Sequence, residues 1–401
     1  MDLPSILQDI FYVLVAAQLC MGLWSVWTGI QWLAMARRSM ATHPGFFAPR
    51  AALICPCKNL EPGLEQNLTA LCSQDYPNYE VFFALARADD PAYEIVRRVT
   101  QKSSVPAHIV IAGRPENCSE KVSNLRAVVE QLDPAFNVYA FADSDGRPGR
   151  QWLAHLVAPL SDDRIGAATS FRWWIPDRGG FWTALGASWD ASIVTLLGNH
   201  ERNFCWGGAT AIRRDVFEST GVRMRWMRAL SDDWTLTNAL RANGRHIKFV
   251  PECLVPSVHD VSAHELLEFT NRQMIITRVY SPKTWTGGAL AHLLYCTTLL
   301  FGIALVASNL AFGLPVIPLL VPLFLVVLLS AAKGVLRWIA VSELLPNWKT
   351  PLTNYAWAWT ILAPLTPFLY ALNFAVSAST RHIVWRGIRY HLVSETQTRI
   401  L

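Results

Sequence analysis

The chain has 401 residues, of which 52% are hydrophobic and only 16% charged, whereas a soluble protein carries about a quarter charged residues; the deficit points to membrane segments. The formal charge of +5 suits an anionic ligand or a membrane surface, and the lack of basic runs interleaved with aromatics argues against a nucleic-acid partner. Cys55-Pro-Cys57 has no second pair to answer it, so the eight cysteines read as reduced thiols rather than a zinc site or a disulfide framework.

A nearly uncharged run, Ile6–Met35, precedes Arg37-Arg38 and exceeds the ~20 apolar residues that cross a bilayer. It is too long for a cleaved signal peptide, and the basic residues that follow it place the downstream side in the cytoplasm. From Arg50 the character changes. Ala51–Cys55 reads as a strand ending at Lys58, and Gly63–Leu71 has helical spacing. Tyr79–Ala86 is a strand ending at Asp89-Asp90, Ala92–Thr100 a helix, His108–Ala112 a strand and Glu120–Leu132 a helix. Val138–Ala142 is the strand that delivers Asp143. Strands alternating with helices predict an α/β domain with a mostly parallel sheet, whose functional groups gather at the carboxyl ends of the strands. Lys58, Asp89 and Asp143 are expected to share one crevice there.

Further on, Trp152–Leu160 reads as a helix, Ile165–Phe171 as a strand, Trp189–Leu197 as a helix, and Phe204–Ile212 as a strand interrupted by Gly207-Gly208. Ser231 is placed to cap a helix through Leu240. Beyond Trp285, Ala289–Phe312 and Val316–Ala332 are long enough to span, joined at Leu314-Pro315. A third apolar run, Tyr355–Val376, is broken by Pro364 and Pro367, which favours a re-entrant or interfacial element over a plain span. Were it a full crossing, basic Arg381–Arg399 would lie outside, against the usual excess of Lys/Arg in the cytoplasm. The division expected is an anchor over residues 1–38, a catalytic domain over 50–285, membrane segments over 289–378 and a basic cytoplasmic tail over 379–401.

Asp143-Ser144-Asp145 sets two carboxylates one residue apart at a strand end, where both can converge on one hard cation, Mg²⁺ or Mn²⁺. A surface turn with two solvated acids has the same sequence. Asp89-Asp90 and Asp232-Asp233 are two further acidic sites, each with an ordinary account as turn or helix-start residues. Taken together in an α/β domain flanked by membrane segments, they point to a nucleotide-sugar transferase. That reaction needs a cation to neutralise the departing diphosphate and a base to take the acceptor hydroxyl's proton.

Pro56-Cys57-Lys58-Asn59, Asp89-Asp90-Pro91-Ala92, Lys121-x-x-Asn124-Leu125, Asp143-Ser144-Asp145, Trp206-Gly207-Gly208 and Ser231-Asp232-Asp233-Trp234 stand in an order that resembles ceramide glucosyltransferases, within the wider family-2-like inverting enzymes of GT-A fold. The resemblance covers roughly Arg50–Trp285 and the flanking membrane segments. It implies a membrane-bound hexosyltransferase using a UDP-sugar and a lipid acceptor. It further implies that Asp89 or Asp90 contacts the uridine with Lys121 and Asn124 nearby, that Asp143 and Asp145 hold the metal diphosphate, and that Asp233 is the base with Asp232 beside it. His259 is either a further metal ligand, as a histidine often follows the base in this fold, or a plain loop histidine.

The sequence departs from the family at its (Q/R)xxRW motif. Arg272 fits the first position, but Ile275-Ile276 stand where Arg-Trp is expected, and Arg278 is the candidate for the missing charge. Arg272 either pairs with phosphate or snorkels at the interface. Bacterial relatives with a similar pattern include hopanoid-associated glycosyltransferases, so a hopanoid, a ceramide or another hydroxylated lipid is the expected acceptor. Trp173, Trp174 and Trp182 either line the site or pack at the membrane interface. A processive polysaccharide synthase and a non-catalytic scaffold are the competing readings. The broken motif and short C-terminal apolar region count against the first, and the intact carboxylates against the second.

Overall fold

The computed structural model describes residues 3–41 and 47–401; the first two residues of the expected anchor lie outside that range. A single helix, Leu3–Met40, carries the N-terminal apolar run. The chain then builds strands β1 (Ala51–Pro56), β2 (Tyr79–Leu85), β3 (Ala107–Ile111), β4 (Val138–Ala142) and β5 (Ile165–Thr169). They are followed by β6 (Arg172–Ile175), β7 (Ala209–Arg213), β8 (His246–Phe249) and β9 (Val255–Val258).

Seven of these form one sheet in the order β3-β2-β1-β4-β7-β5-β8, while β6 pairs with β9. The β3-β2-β1-β4 half is parallel, and β7 runs antiparallel to both its neighbours. β1 and β4 are apolar throughout because helices cover both faces of the sheet, which removes the alternation a half-exposed strand would show. Leu64–Leu71, Tyr93–Lys102 and Trp152–Val157 pack on one face. Glu120–Val129 and Asp232–Ala242 pack on the other. Since β1 and β4 are parallel neighbours, their carboxyl ends open at the same edge.

Helices Ser5–Met40, Pro282–Ala311 and Ile317–Leu344 are each long and apolar enough to cross a membrane. They expose Leu23, Trp24, Leu310, Phe312, Ile317 and Phe324, a surface suited to lipid rather than water. The N-terminal helix lies along Ile317–Leu344, with Gly22 and Gly29 beneath Leu329 and Leu336, the small-residue contact that lets such helices approach.

The third C-terminal run is not one helix. It breaks into Ala356–Thr360 and Thr366–Ser379, preceded by the separate short helix Lys349–Asn354, and the longest of these, 14 residues, rises only ~21 Å. Two further expectations are corrected. The strand foreseen over Phe204–Ile212 is a loop through Gly208, with only Ala209–Arg213 in the sheet. The basic tail after Ser379, for which no strand was foreseen, holds β10 (His382–Trp385), β11 (Ile388–Ser394) and β12 (Gln397–Ile400), which form an antiparallel three-stranded sheet. Its apolar face, with Ile383, Tyr390 and Leu392, closes over Leu230, Ile275, Ile276 and Tyr280.

Gly334 is where the broken segment meets the membrane helix. A Cβ there would collide with the Trp359 carbonyl oxygen and lie 3.2 Å from Thr360 Cα, neither of which can rotate away. Gly334→Ala is therefore expected to destabilise the protein by ~1–3 kcal/mol, the usual cost of overpacking, seen as a lowered Tm in detergent. An unchanged Tm would show that the two segments do not need this approach.

Candidate active site

The carboxyl edge of β1 and β4 opens into one cavity of about 1710 Å³. β4 ends at Asp143, β1 leads to Lys58, and the helix Asp232–Ala242 points its start at the same space, with Ser231 accepting a hydrogen bond from Trp234 N as its cap. Lys121, from the first turn of Glu120–Val129, joins these elements. Its Nζ lies 2.7 Å from Asp143 Oδ1 and 3.2 Å from Asp232 Oδ2. Burial opposes the Lys121 charge, but Asp143, Asp232 and Asp233 outweigh it and hold the ammonium above the ordinary lysine value. Burial pushes Asp232 up to about 7, against the pull of Lys121 and with repulsion from Asp233 and Asp143. Gly207 closes the roof: a Cβ there would strike Asp232 Oδ2 and lie 2.6 Å from Lys121 Nζ.

Asp233 is more open than Asp232 and lines the cavity. Its Oδ1 accepts a close hydrogen bond from Ser231 Oγ and another from Trp234 N at 2.7 Å. Lys58 Nζ pairs with Glu120 Oε1 at 3.0 Å. Asn124 is buried, with its Oδ1 unpartnered.

Asp145 sits across from Arg172, at 3.8 Å, and its Oδ1 is buried with no partner. Arg172 is in turn fixed by Asp190 at 2.9 Å, whose own carboxyl burial pushes upward. Oxygen donors on Asp143 and Asp145, one of them unsatisfied, fit a hard divalent cation. Among the described residues no three His, Cys, Asp or Glu stand close enough to form a metal cluster by themselves. His259 reaches the neighbourhood indirectly. Its Nδ1 meets Ser257 Oγ at 3.2 Å, and that hydroxyl donates to the Asp145 carbonyl oxygen at 3.0 Å. The ring stacks on Trp174 at 4.2 Å, and burial, helped by Arg172, lowers its pKa to about 3, so the imidazole is neutral.

Several expected site residues are not brought into the cavity. Asp89 is exposed and bonded by the Arg87 fork outside its lining. Asp90 turns back to cap Asn59 N at 2.8 Å and Ala92 N at 2.9 Å, so it shapes the loop after Lys58. Arg278 faces the C-terminal helix, donating to the Ser377 carbonyl oxygen at 2.6 Å beside Trp285. Arg272 does line the cavity, between Phe269 and Trp385, with Glu268 only at 4.0 Å.

Sequence reasoning missed Glu61, Arg172, Asp190 and Arg386. Glu61 accepts from Ser144 Oγ at 2.7 Å and pairs closely with Arg386 from the C-terminal sheet. Burial and then repulsion by Asp145 push Glu61 to about 7 despite Arg386 and Ser144. The Trp-Arg-Gly turn after an alternating run was the available signal for the last of these.

The cavity does not stop at the carboxylates. It continues to Gln18 and Thr28 of the N-terminal helix, His292 of Pro282–Ala311, and Ser330 and Lys333 of Ile317–Leu344.

The model of glycosyl transferase family 21 matches residues 10–398. Ceramide glucosyltransferase 1 of Caenorhabditis elegans is 23% identical over 233 residues, 56% of this chain and 48% of that protein, so the match spans about half that relative's length. Among solved structures, the mannosyltransferase PcManGT from Pyrobaculum calidifontis, in complex with GDP-Man and Mn²⁺, is similar with a TM-score of 0.51 at 18% identity. That likeness covers 91% of this chain and 99% of the mannosyltransferase, and it concerns the fold. With a mostly parallel GT-A sheet, long apolar helices before and after it in the sequence and a family match over nearly its whole length, the chain belongs to glycosyl transferase family 21 and is a glycosyltransferase.

Proposed function

We propose that the protein moves a hexose, glucose or N-acetylglucosamine, from a UDP-sugar to the hydroxyl of a membrane lipid such as a ceramide or a hopanoid, with inversion at the sugar carbon. One observation carries this reading: a single cavity joins the carboxylates at the sheet edge to side chains from all three long apolar helices. A lipid can enter from the bilayer and present its hydroxyl to Asp233, while the donor occupies the sheet edge. The similarity to a ceramide glucosyltransferase supports a lipid acceptor, and the mannosyltransferase solved with Mn²⁺ supports a divalent ion.

In this mechanism Asp143 and Asp145 would hold Mg²⁺ or Mn²⁺, which would supply positive charge to the leaving diphosphate. Asp233 takes the proton from the acceptor hydroxyl as its oxygen attacks the sugar carbon from the face opposite the diphosphate. Lys121 bridges Asp143 and Asp232 and compensates their charge, so that Asp233 faces the acceptor without the repulsion of an uncompensated cluster. Lys58 and Asn124 flank the donor side. The cation requirement and the transfer are tested together by incubating the purified protein with labelled UDP-glucose and UDP-N-acetylglucosamine in native lipid extract. A glycolipid should form, be identified by mass, vanish with EDTA and return with Mn²⁺ or Mg²⁺. Product formation undiminished in chelator would overturn the metal assignment, and no glycolipid from either donor would overturn the donor assignment.

Asp233→Asn should lower the rate by ~10²–10⁴-fold with nucleotide affinity retained. An active variant, or an α-linked product, would contradict the role of Asp233. We further assign the catalytic domain and the C-terminal sheet, which pack together, to the cytoplasmic side, as Arg37-Arg38 favour. A cysteine appended after Leu401 should then resist a membrane-impermeant thiol reagent in intact cells and react after lysis. Labelling before lysis would reverse the topology.

A further inference from the structure

The C-terminal sheet reaches the active site through Trp385, Tyr390 and Arg386, the last in the two-residue turn Arg386-Gly387 between β10 and β11. Arg386 has φ +48° and Gly387 φ +81°. Consecutive positive values are those of a hairpin turn that favours Asn, Asp or Gly at its first position. An arginine held left-handed there is strained, and such strain persists where the side chain has a task. The Arg386 guanidinium pairs with Glu61, donates to the Lys58 carbonyl oxygen at 2.7 Å and lines the cavity. Asp145 and Asp143 both act on its charge.

Its neighbours on the sheet are arranged to hold it there. Trp385 lies beneath the Arg272 guanidinium at 5.4 Å. Tyr390 Oη accepts from Glu120 N at 3.3 Å, which ties the sheet to the helix bearing Lys121. Ile275 and Ile276, standing where the resembling family has Arg-Trp, are buried beneath the sheet and form its apolar seat. Arg172, Arg272 and Arg386 therefore surround the space beside Asp143 and Asp145. Arg272 has no carboxylate closer than Glu268 at 4.0 Å among the described residues. Its pKa falls to about 10 through burial, with repulsion from Arg172 and Arg386 adding to that. Arg172 and Arg386 are paired with carboxylates, whereas Arg272, in the same cavity as the carboxylates proposed to hold a divalent ion, lacks a close anion among the described residues.

We propose that Arg386 is a donor-binding residue, which with Arg272 contacts the diphosphate of the nucleotide sugar, and that Glu61 holds its guanidinium in place until the donor arrives. This rests on the nucleotide-sugar reading of the site and identifies what stands in for the missing Arg-Trp pair: Trp385-Arg386, delivered from the far end of the chain. A planar guanidinium fork matches phosphate oxygens bidentately, so a lysine replaces its charge but not its geometry.

The test is calorimetric binding of UDP and GDP, against uridine and guanosine as competitors, to the purified full-length protein with Mn²⁺. Arg386→Asn places a turn-favoured residue at the strained position, so the sheet stays folded. It should weaken diphosphate binding ~10–100-fold with nucleoside affinity and Tm unchanged. Arg386→Lys should recover part of the loss. Glu61→Gln, which breaks the same ion pair from the other side, should retain or strengthen diphosphate affinity. If Arg386 served only to dock the sheet, Glu61→Gln would reproduce the loss, or nucleoside and diphosphate affinities would fall together, and either result overturns the proposal. So does an Arg386→Asn variant that binds diphosphate like the wild type. A wild-type protein with no preference for either diphosphate over its nucleoside would instead overturn the nucleotide-sugar reading itself, and this inference with it.

Discussion

The structure depends on keeping a crowd of carboxylates together at one sheet edge. Asp143, Asp145, Asp232 and Asp233 come from two separate elements, and without compensation they would repel each other across a half-buried space. Lys121 satisfies two of them at once, which is why its side chain joins the end of β4 to the start of Asp232–Ala242. Arg172 does the same for Asp145 while Asp190 balances Arg172. Buried ion pairs contribute little net stability, but removing one partner costs several kcal/mol because the other is left charged and dry. The arrangement thus holds Asp143 and Asp232 in place through Lys121 and Asp145 through Arg172, while Asp233 is held by Ser231 and the Trp234 amide.

On the proposed function, the second constraint is the membrane. A sugar donor needs a polar, cation-rich site, and a lipid acceptor needs an apolar route to it. The fold is suited to both needs: the N-terminal helix packs along the C-terminal pair beside the α/β sheet, so that one cavity has polar walls at one end and helix walls at the other. The broken segment over Lys349–Ser379 fits this arrangement. Its short helices pack on Phe181–Val194, Ala263–Tyr280 and Ile317–Leu344. Within a bilayer, non-helical backbone is tolerated only where protein surrounds it.

Much of this was legible in the sequence. The parallel half of the sheet showed itself because β1 and β4 are continuous apolar runs ending in chemistry, and Ser231 announced its helix by the capping pattern. The three long helices followed from length and hydropathy alone. What escaped was tertiary. Asp89 and Asp90 look equivalent to Asp143 and Asp145 as acids after a strand, yet Arg87 and the Asn59 amide occupy them, and neither partner is signalled by spacing. Arg278 sits one helical turn from the expected position but is claimed by the Ser377 carbonyl oxygen. The C-terminal sheet was hidden by its basic composition, although His-Ile-Val-Trp and Ile-Arg-Tyr-His-Leu flank a turn-forming Arg-Gly. Arg172 was overshadowed by the two tryptophans beside it; only the fold brings Asp145 to it from one side and Asp190 from the other.

The central claim is that donor and lipid share one cavity, and it is most directly tested at the membrane end, away from the carboxylates. Ser330 lines that end on Ile317–Leu344. A Ser330→Trp variant should fill the route without touching the sheet edge. With UDP affinity and glycolipid formation measured side by side, the account predicts that glycolipid formation is lost while UDP binds as in the wild type. Glycolipid formation at the wild-type rate would contradict it, since the acceptor would then reach Asp233 by a path that does not cross the helices.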